Sequence, residues 1–146
     1  MISAKRVRST GITILAIFVF LLAAWNGLRL GETIFFWKTL KTYGAHPLYI
    51  AISGGVWFIA GLLLFWGLWF GKPWGWASAL GGTVGYFAWY WFDRLVLEQP
   101  RVNWPFVLVA DIVFLLFIFA ILFSRRTRLF FKRDAYERKP QTQTIP

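Results

Sequence analysis

The chain has 146 residues and a net charge of +10, with 58% hydrophobic, 21% aromatic and only 15% charged residues. Because a soluble domain carries about 25% charged residues and leaves much of its surface in water when it is small, this composition excludes an ordinary soluble protein and predicts an integral membrane protein. With no cysteine and one histidine, one chain has no ligands for an iron–sulfur cluster or a multi-histidine metal centre, and we expect no metal and no cofactor.

The chain begins with a basic segment, residues 1–10, followed by a first apolar stretch at Gly11–Leu28. This stretch approaches the roughly 20 residues that cross a bilayer core as a helix. A basic start before an apolar run is also typical of a secretory signal. The pattern of small residues that signal cleavage requires is poor around Ala23 and Ala24, so we predict a retained transmembrane helix.

The link from Gly31 to Pro47 is longer than a turn and is not plainly polar. Phe36, Trp37, Leu40 and Tyr43 recur in it at helical spacing. This spacing is typical of a short helix that lies flat in the membrane interface. A frayed extension of the first transmembrane helix explains the same residues equally well, and the sequence leaves both alternatives open.

Three further apolar stretches are long enough to cross a bilayer, at Leu48–Phe70, Trp74–Leu97 and Asn103–Phe123. Their residues do not alternate between apolar and polar as in a membrane β-barrel, so the backbone must be satisfied in helices. The link at residues 71–73 is so short that the helices beside it are antiparallel. The sequence therefore predicts an all-α fold over residues 11–124, with four transmembrane helices in a compact antiparallel bundle.

Lysine and arginine are unevenly distributed over the predicted links and define an orientation. Eleven of them lie on the side that holds both termini and five on the other side, so both termini should face the cytoplasm. We predict a multi-pass protein of a bacterial cytoplasmic membrane. The tail, residues 125–146, is basic and should bind anionic lipid rather than nucleic acid. The predicted lipid-binding residues are Arg125, Arg126, Arg128, Lys132 and Arg133.

Small residues recur at intervals of three or four along the predicted helices. Such spacing lets helix backbones approach each other closely, which stabilises helix pairs in lipid. The pattern does not distinguish packing within the chain from packing onto a partner. The residues predicted to lie at helix contacts are Ala23, Gly27, Gly31, Gly67, Gly71, Gly75, Ser78, Gly82 and Gly85.

One half of the third predicted helix is almost entirely aromatic, with Tyr86, Phe87, Tyr90 and Phe92 among its residues. A groove for an aromatic, isoprenoid or pigment-like ligand is one interpretation. Lipid-facing and interfacial side chains are the other, and we favour it because the rings surround the helix instead of forming one stripe.

Asp111 is the strongest polar feature, because it lies near the middle of the fourth apolar stretch. A lone carboxylate there is costly unless it is protonated or paired. It is either a proton- or cation-binding group of a transporter or channel, or a structural residue that sets helix register. A partner must come from another helix. The polar residues that lie at suitable depth or nearer the outer surface are Asn26, Arg29, Tyr86, Tyr90 and Arg94.

Asp93 and Arg94 form a second polar point at the end of the third stretch, and Asp93 is expected to pair with Arg29, Arg101 or Lys38. The thin polar inventory predicts a protein without enzymatic activity. We expect an accessory, assembly or scaffold subunit that binds other membrane subunits or a second copy of itself. The alternative is a small oligomeric transporter or channel that uses Asp111.

Overall fold

A computed structural model describes residues 10–97 and 103–137. Within these ranges every regular element is helical, which confirms the predicted all-α class for the described part of the chain. The helices are α1 (Thr10–Phe35), α2 (Trp37–Thr42), α3 (Pro47–Trp69), α4 (Pro73–Phe92), α5 (Trp104–Phe123) and α6 (Arg125–Glu137), and a π-helical turn (Asp93–Leu97) follows α4 directly. The predicted basic segment before Thr10 and the tail after Glu137 lie outside the described residues.

Three helices are long and apolar enough to cross a membrane. They are α1, α3 and α5, with 26, 23 and 20 residues and mean hydropathies of 2.1, 2.1 and 3.1. The helix α4 has no charged residue, but its many glycine, tryptophan and tyrosine residues make it less hydropathic. The structure thus supports three of the four predicted spans by length and composition, and the fourth stays a prediction.

Local backbone chemistry explains where the long helices begin and how α3 turns into α4. A proline lies in the first turn of α3, α4 and α5. The N–H groups of a first turn have no acceptor within the helix, so a residue without an N–H costs no hydrogen bond there. After α3, Gly71 has a φ of +62°, and the N–H of Lys72 donates to the carbonyl of Gly67 at 2.9 Å. This is the glycine-terminated helix end expected for a tight antiparallel turn.

The first helix is longer than predicted. We expected it to end at Leu28, but α1 continues to Phe35. Its polar residues are accommodated within the helix, since Asn26 donates to the carbonyl of Leu22 at 2.8 Å and Thr33 to that of Arg29 at 2.7 Å. The short helix α2 follows a break at Phe36. The link therefore combines both alternatives, an extension of the first helix and a separate short helix.

The helix pair α1 and α3 has the most extensive contact in the described part of the chain. A Cβ built on Gly61 would lie 2.7 Å from the Cβ of Ala23, and one built on Gly54 would lie 3.2 Å from the carbonyl oxygen of Asn26. Further contacts join α3 to α4, α4 to α5 and α5 to α1. These contacts close a ring of four helices, and the candidate site lies inside it.

A cluster of buried apolar side chains closes one end of this ring, which we call the α6 end. It joins the beginning of α1, the end of α3, the beginning of α4, the end of α5 and one residue of α6. The members are Ile12, Leu15, Ala16, Leu68, Ala79, Ile118, Leu122 and Phe131.

The helix α6 is anchored to the α6 end by its apolar face. Ser124 caps it, because its hydroxyl oxygen accepts the N–H of Thr127 at 3.3 Å. Phe131 is 6% exposed within the buried cluster. Phe130 lies against Gly71, where a Cβ would be 2.7 Å from its ring. Part of the predicted tail is thus a helix packed onto the turn between α3 and α4.

Candidate functional site

A cavity of about 380 Å³ lies between α1, α3, α4 and α5. Toward the α6 end its wall is apolar and includes Leu15, Leu64 and Ile118. At the opposite end, which we call the Asp93 end, polar side chains enter the wall. They are Asn26, Thr83, Tyr86, Tyr90 and Asp111. We refer to this space as the Asp111 cavity.

Asp111 faces this cavity from the second turn of α5. Its Oδ2 atom is buried and makes no hydrogen bond. The indole of Trp91, whose Nε1 is also buried without a hydrogen bond, lies close enough to act as a donor to the carboxyl group. Among the described residues no basic side chain forms an ion pair with Asp111. The carboxylate is therefore an incompletely compensated polar group inside the helix ring.

The tyrosines at the Asp93 end are held by neighbouring side chains. The guanidinium of Arg94 donates to the hydroxyl of Tyr90 at 3.0 Å and to the amide oxygen of Asn103 at 3.1 Å. The ring of Tyr86 meets Trp57 edge-on at 4.9 Å between centroids. These contacts hold the two phenol rings in the wall of the Asp111 cavity without using the Asp111 carboxyl.

A second cavity of about 510 Å³ adjoins the first at the Asp93 end. The two share Asn26, Tyr86 and Tyr90 in their walls. The charged residues that line the second cavity are Arg29, Glu32, Asp93 and Arg94. Among the described residues, charges of both signs line the second cavity, whereas Asp111 is the one charged residue in the wall of the Asp111 cavity.

Arg29 and Asp93 form an ion pair in the wall of the second cavity, with 3.8 Å between Nη2 and Oδ2. Asp93 is only 8% exposed, and Arg29 is one of the three bases that the sequence offered as its partner. The hydroxyl of Tyr49 lies beside this carboxylate but is buried and makes no hydrogen bond. The π-helical turn that begins at Asp93 is a local widening of the kind often found at functional sites.

Some aromatic residues fit the interpretation as a ligand groove, and others fit the interpretation as outward-facing side chains. Trp57, Tyr86, Phe87 and Tyr90 line the Asp111 cavity, as a ligand groove requires. Phe92, in contrast, is 56% exposed on the outside of the ring. Sequence periodicity did not separate these groups because rings occur on every face of α4.

Several of the small residues that we predicted at helix contacts do lie where an added Cβ would meet another side chain or backbone closely. A Cβ on Gly27 would meet the ring of Phe58 at 2.9 Å, on Gly75 the backbone of Gly67 at 2.8 Å, and on Gly82 the side chain of Leu64 at 2.7 Å. Gly67 similarly receives the ring of Trp74.

Three of the predicted positions lie differently. A Cβ on Gly31 would meet nothing within 4 Å, and one on Gly85 would meet only Trp57, at an ordinary 3.8 Å. Gly31 therefore makes no helix contact among the described residues, because it is exposed on the outer face of α1. Ser78 is half-buried in α4. Among the described residues, its hydroxyl forms no hydrogen bond to another helix.

The basic residues of α6 lie away from both cavities. Arg125, Arg126 and Arg128 are exposed, and the guanidinium of Arg128 lies 5.1 Å from the ring centre of Phe123. The side chains of Lys132 and Arg133 lie outside the described residues. The exposed bases can reach a lipid surface beside the α6 end.

Sequence analysis missed several residues of the site. Trp57 lines the Asp111 cavity, Trp91 lies near Asp111 and Tyr49 lies beside Asp93. The two tryptophans were interpreted as lipid-facing and interfacial bulk, and Tyr49 was not singled out. Gly61 makes the closest contact with α1 but stands outside the repeats of small residues that we singled out. The available signal for Trp91 was its position directly after Tyr90 in the sequence.

The arrangement can hold a ligand, but it has few groups for covalent chemistry. Within residues 10–97 and 103–137, no three histidine, aspartate or glutamate side chains lie close enough together to hold a metal ion. What the site offers is one carboxylate, several aromatic faces and an apolar floor. Comparison of the chain with protein-family models, with curated proteins and with solved structures found no match.

Proposed function

We propose that the protein is a small non-enzymatic membrane carrier that binds and moves a positively charged species by means of Asp111. The observation that carries this proposal is the position of Asp111, which lines a cavity and forms no ion pair among the described residues, although the charge of Arg94 acts on it from nearby. An intramembrane carboxylate that fixes helix register alone would be closed off by another helix. Ionisable groups that face a cavity within a membrane are typical of ion pathways and proton relays.

The topology that we propose for this role is an antiparallel bundle in which α1, α3, α4 and α5 all cross a bacterial cytoplasmic membrane. The closed ring of contacts supports it. It is also supported by the excess of lysine and arginine at the α6 end, which would then face the cytoplasm. In this orientation the second cavity opens outward, and the buried cluster at the α6 end blocks passage.

Cysteine labelling tests the orientation, since the natural sequence has no cysteine. Thr39→Cys lies in α2 and is exposed, and Arg126→Cys is exposed in α6. A membrane-impermeant maleimide added to intact cells should label the first variant and should label the second only after lysis. Labelling of both in intact cells, or of the second alone, would reject the proposed orientation.

Flux through proteoliposomes tests the carrier role. A membrane potential imposed on vesicles that contain the wild-type protein should drive proton or cation entry, read from a pH-sensitive dye and a cation-selective electrode. Asp111→Asn removes the charge at nearly constant shape and should abolish the flux, whereas Asp111→Glu should retain part of it. Flux that is the same for wild type and Asp111→Asn would reject the role of Asp111.

A second candidate function is the accessory or scaffold subunit, and one surface favours it. The outer face of α4 carries small, exposed residues at helical spacing: Ala77, Gly81, Gly85 and Ala88. Nothing lies within 4 Å of a Cβ on Gly81. Small residues on an open helix face allow a further helix to pack closely, either from another subunit or from a second copy.

Purification in a mild detergent separates the two functions. Co-purification of another membrane protein in fixed stoichiometry, lost in Gly81→Leu but kept in Gly31→Leu, supports the subunit role. A protein that purifies alone and carries Asp111-dependent flux contradicts it.

A further inference from the structure

We propose that the ligand of the Asp111 cavity is an amphipathic organic monocation, such as an aryl or alkyl ammonium ion. Its charged group would lie at Asp111 and its apolar part would point toward the α6 end. This inference rests on the proposed function, because it names the class of ligand that the carrier binds.

The sign of the ligand charge follows from the charges that line the two spaces. The inner wall contains the Asp111 carboxylate and no basic residue. In the outer space Arg29 is paired with Asp93, and Arg94 is engaged by Tyr90 and Asn103. Among the described residues Asp111 forms no ion pair, although Arg94 lies near enough to act on its charge. A cation would therefore gain an ion-pair partner at Asp111, whereas an anion would be repelled by this carboxylate.

The presence of one carboxylate among the described residues of the wall favours an organic cation over a hard divalent metal ion. Calcium requires about six to eight oxygen ligands and magnesium a near-octahedral set. In the cavity, the hydroxyl of Thr83 donates to the carbonyl of Ala79 at 2.7 Å, and that of Tyr90 accepts a hydrogen bond from the guanidinium of Arg94. An ammonium group with alkyl or aryl substituents needs no such coordination shell.

Aromatic faces provide the other half of the recognition. Tyr86, Phe87 and Tyr90 line the wall from α4, and Phe18 and Phe114 meet there with 4.5 Å between ring centres. Ring faces attract a desolvated cation, and quaternary ammonium groups are commonly recognised by aromatic cages. The carboxylate and the rings line the same cavity, so both can act on one charged group.

The rest of the cavity matches an apolar tail. From Asp111 to Ile118 the helix rises about 10 Å, and the wall along this distance includes Leu115 and Leu64. The volume of about 380 Å³ lies in the range of roughly 300–1,000 Å³ that is typical of small-molecule sites.

Binding of a matched set of probes tests the inference on the full chain in an uncharged detergent. The probes are benzyltrimethylammonium, its neutral isostere neopentylbenzene, and the anion phenylmethanesulfonate, each measured by equilibrium dialysis. We expect the wild-type protein to prefer the cation to both others. In Asp111→Asn the affinity for the cation should fall about tenfold or more, because a desolvated charge pair is lost, while Asp111→Glu should restore most of it.

Trp104→Phe serves as the control variant, because Trp104 is 52% exposed and outside the walls of both cavities, and it should bind like wild type. The comparison of three probes on the wild-type protein keeps the test valid even where Asp111→Asn does not fold. Preference for the anion or the neutral isostere, or equal cation binding by Asp111→Asn, overturns the inference.

The outcomes also separate the inference from the carrier role. Flux that depends on Asp111 without binding of benzyltrimethylammonium means that a proton or an inorganic ion is carried, which overturns the inference and leaves the proposed function standing. Binding that depends on Asp111 without flux supports the inference and contradicts transport.

Discussion

The indole Nε1 of Trp76 donates a hydrogen bond to the carbonyl oxygen of Leu122 at 2.9 Å, and it thereby ties the first turns of α4 to the last turn of α5. The two residues are 46 positions apart in the chain. The carbonyl groups in the last turn of a helix have no partner within that helix. The indole therefore satisfies a group that would otherwise be unpaired beside the buried cluster at the α6 end.

Trp76→Phe should destabilise the protein by about 1 kcal/mol, which is a typical net value for one hydrogen bond. Phenylalanine keeps an aromatic ring but is smaller than tryptophan, so the effect includes some lost packing as well as the lost donor. Thermal unfolding in detergent measures it, with Trp104→Phe as a matched change at an exposed indole. Equal midpoints for the two variants would show that the bond to Leu122 contributes nothing.

Gly61→Ala should loosen the contact between α1 and α3. Its new Cβ would lie 2.7 Å from the Cβ and 3.2 Å from the Cα of Ala23, and neither atom can rotate away. Overpacking of this kind costs about 1–3 kcal/mol. Gly81→Ala is the control, because its Cβ would meet nothing within 4 Å. Unfolding should begin at a lower concentration of denaturing detergent for Gly61→Ala than for wild type, whereas Gly81→Ala should unfold like wild type.

The ion pair between Arg29 and Asp93 should show a small positive coupling energy in a double-mutant cycle. The variants are Arg29→Gln, Asp93→Asn and the double change. A coupling of about 0.5–1 kcal/mol is expected, because the distance is 3.8 Å and a third of the Arg29 side chain is exposed. The sum of the two single effects should therefore exceed the effect of the double change. Strict additivity would mean that the two charges do not interact.

Phe131→Ala should detach α6 from the rest of the molecule. Removal of a buried phenylalanine side chain lowers stability by about 3–5 kcal/mol. We expect this loss to exceed the free energy that holds a single short helix against the rest of the molecule. Trypsin should then cleave after Arg125, Arg126 or Arg128 faster than in wild type. Leu129→Ala is the control, since Leu129 is 56% exposed. Cleavage that is unchanged in Phe131→Ala would contradict the proposed anchoring.

Replacement of Arg125, Arg126 and Arg128 by glutamine should weaken the response to anionic lipid. Each base near an anionic surface contributes about 1 kcal/mol, and all three are exposed. The rise in melting temperature on addition of phosphatidylglycerol should be smaller in the triple variant, while phosphatidylcholine should act equally on both proteins. A response to phosphatidylglycerol equal to that of wild type would reject electrostatic binding by α6.

Features that depend on near neighbours in the chain were predictable from the sequence. Leu48–Phe70 and Asn103–Phe123 were predicted within one residue of α3 and α5, because proline and glycine limit a helix through steric effects on adjacent residues. Asp111 was recognised from the sequence because its carboxylate stands among apolar neighbours. The end of α1 was misplaced, since polar residues beyond Leu28 such as Thr33 bond within their own helix and do not stop it.

The faces that the helices turn toward each other required the folded structure. Apolar residues surround α5 on all sides, so its sequence contains no stripe that shows whether Asp111 points to lipid, to a helix or into a cavity. That direction depends on the rotation of each helix about its axis, which contacts such as Gly61 with Ala23 and Trp76 with Leu122 set between distant parts of the chain. Local preference determines that a segment is helical, whereas steric fit between helices determines what its side chains meet.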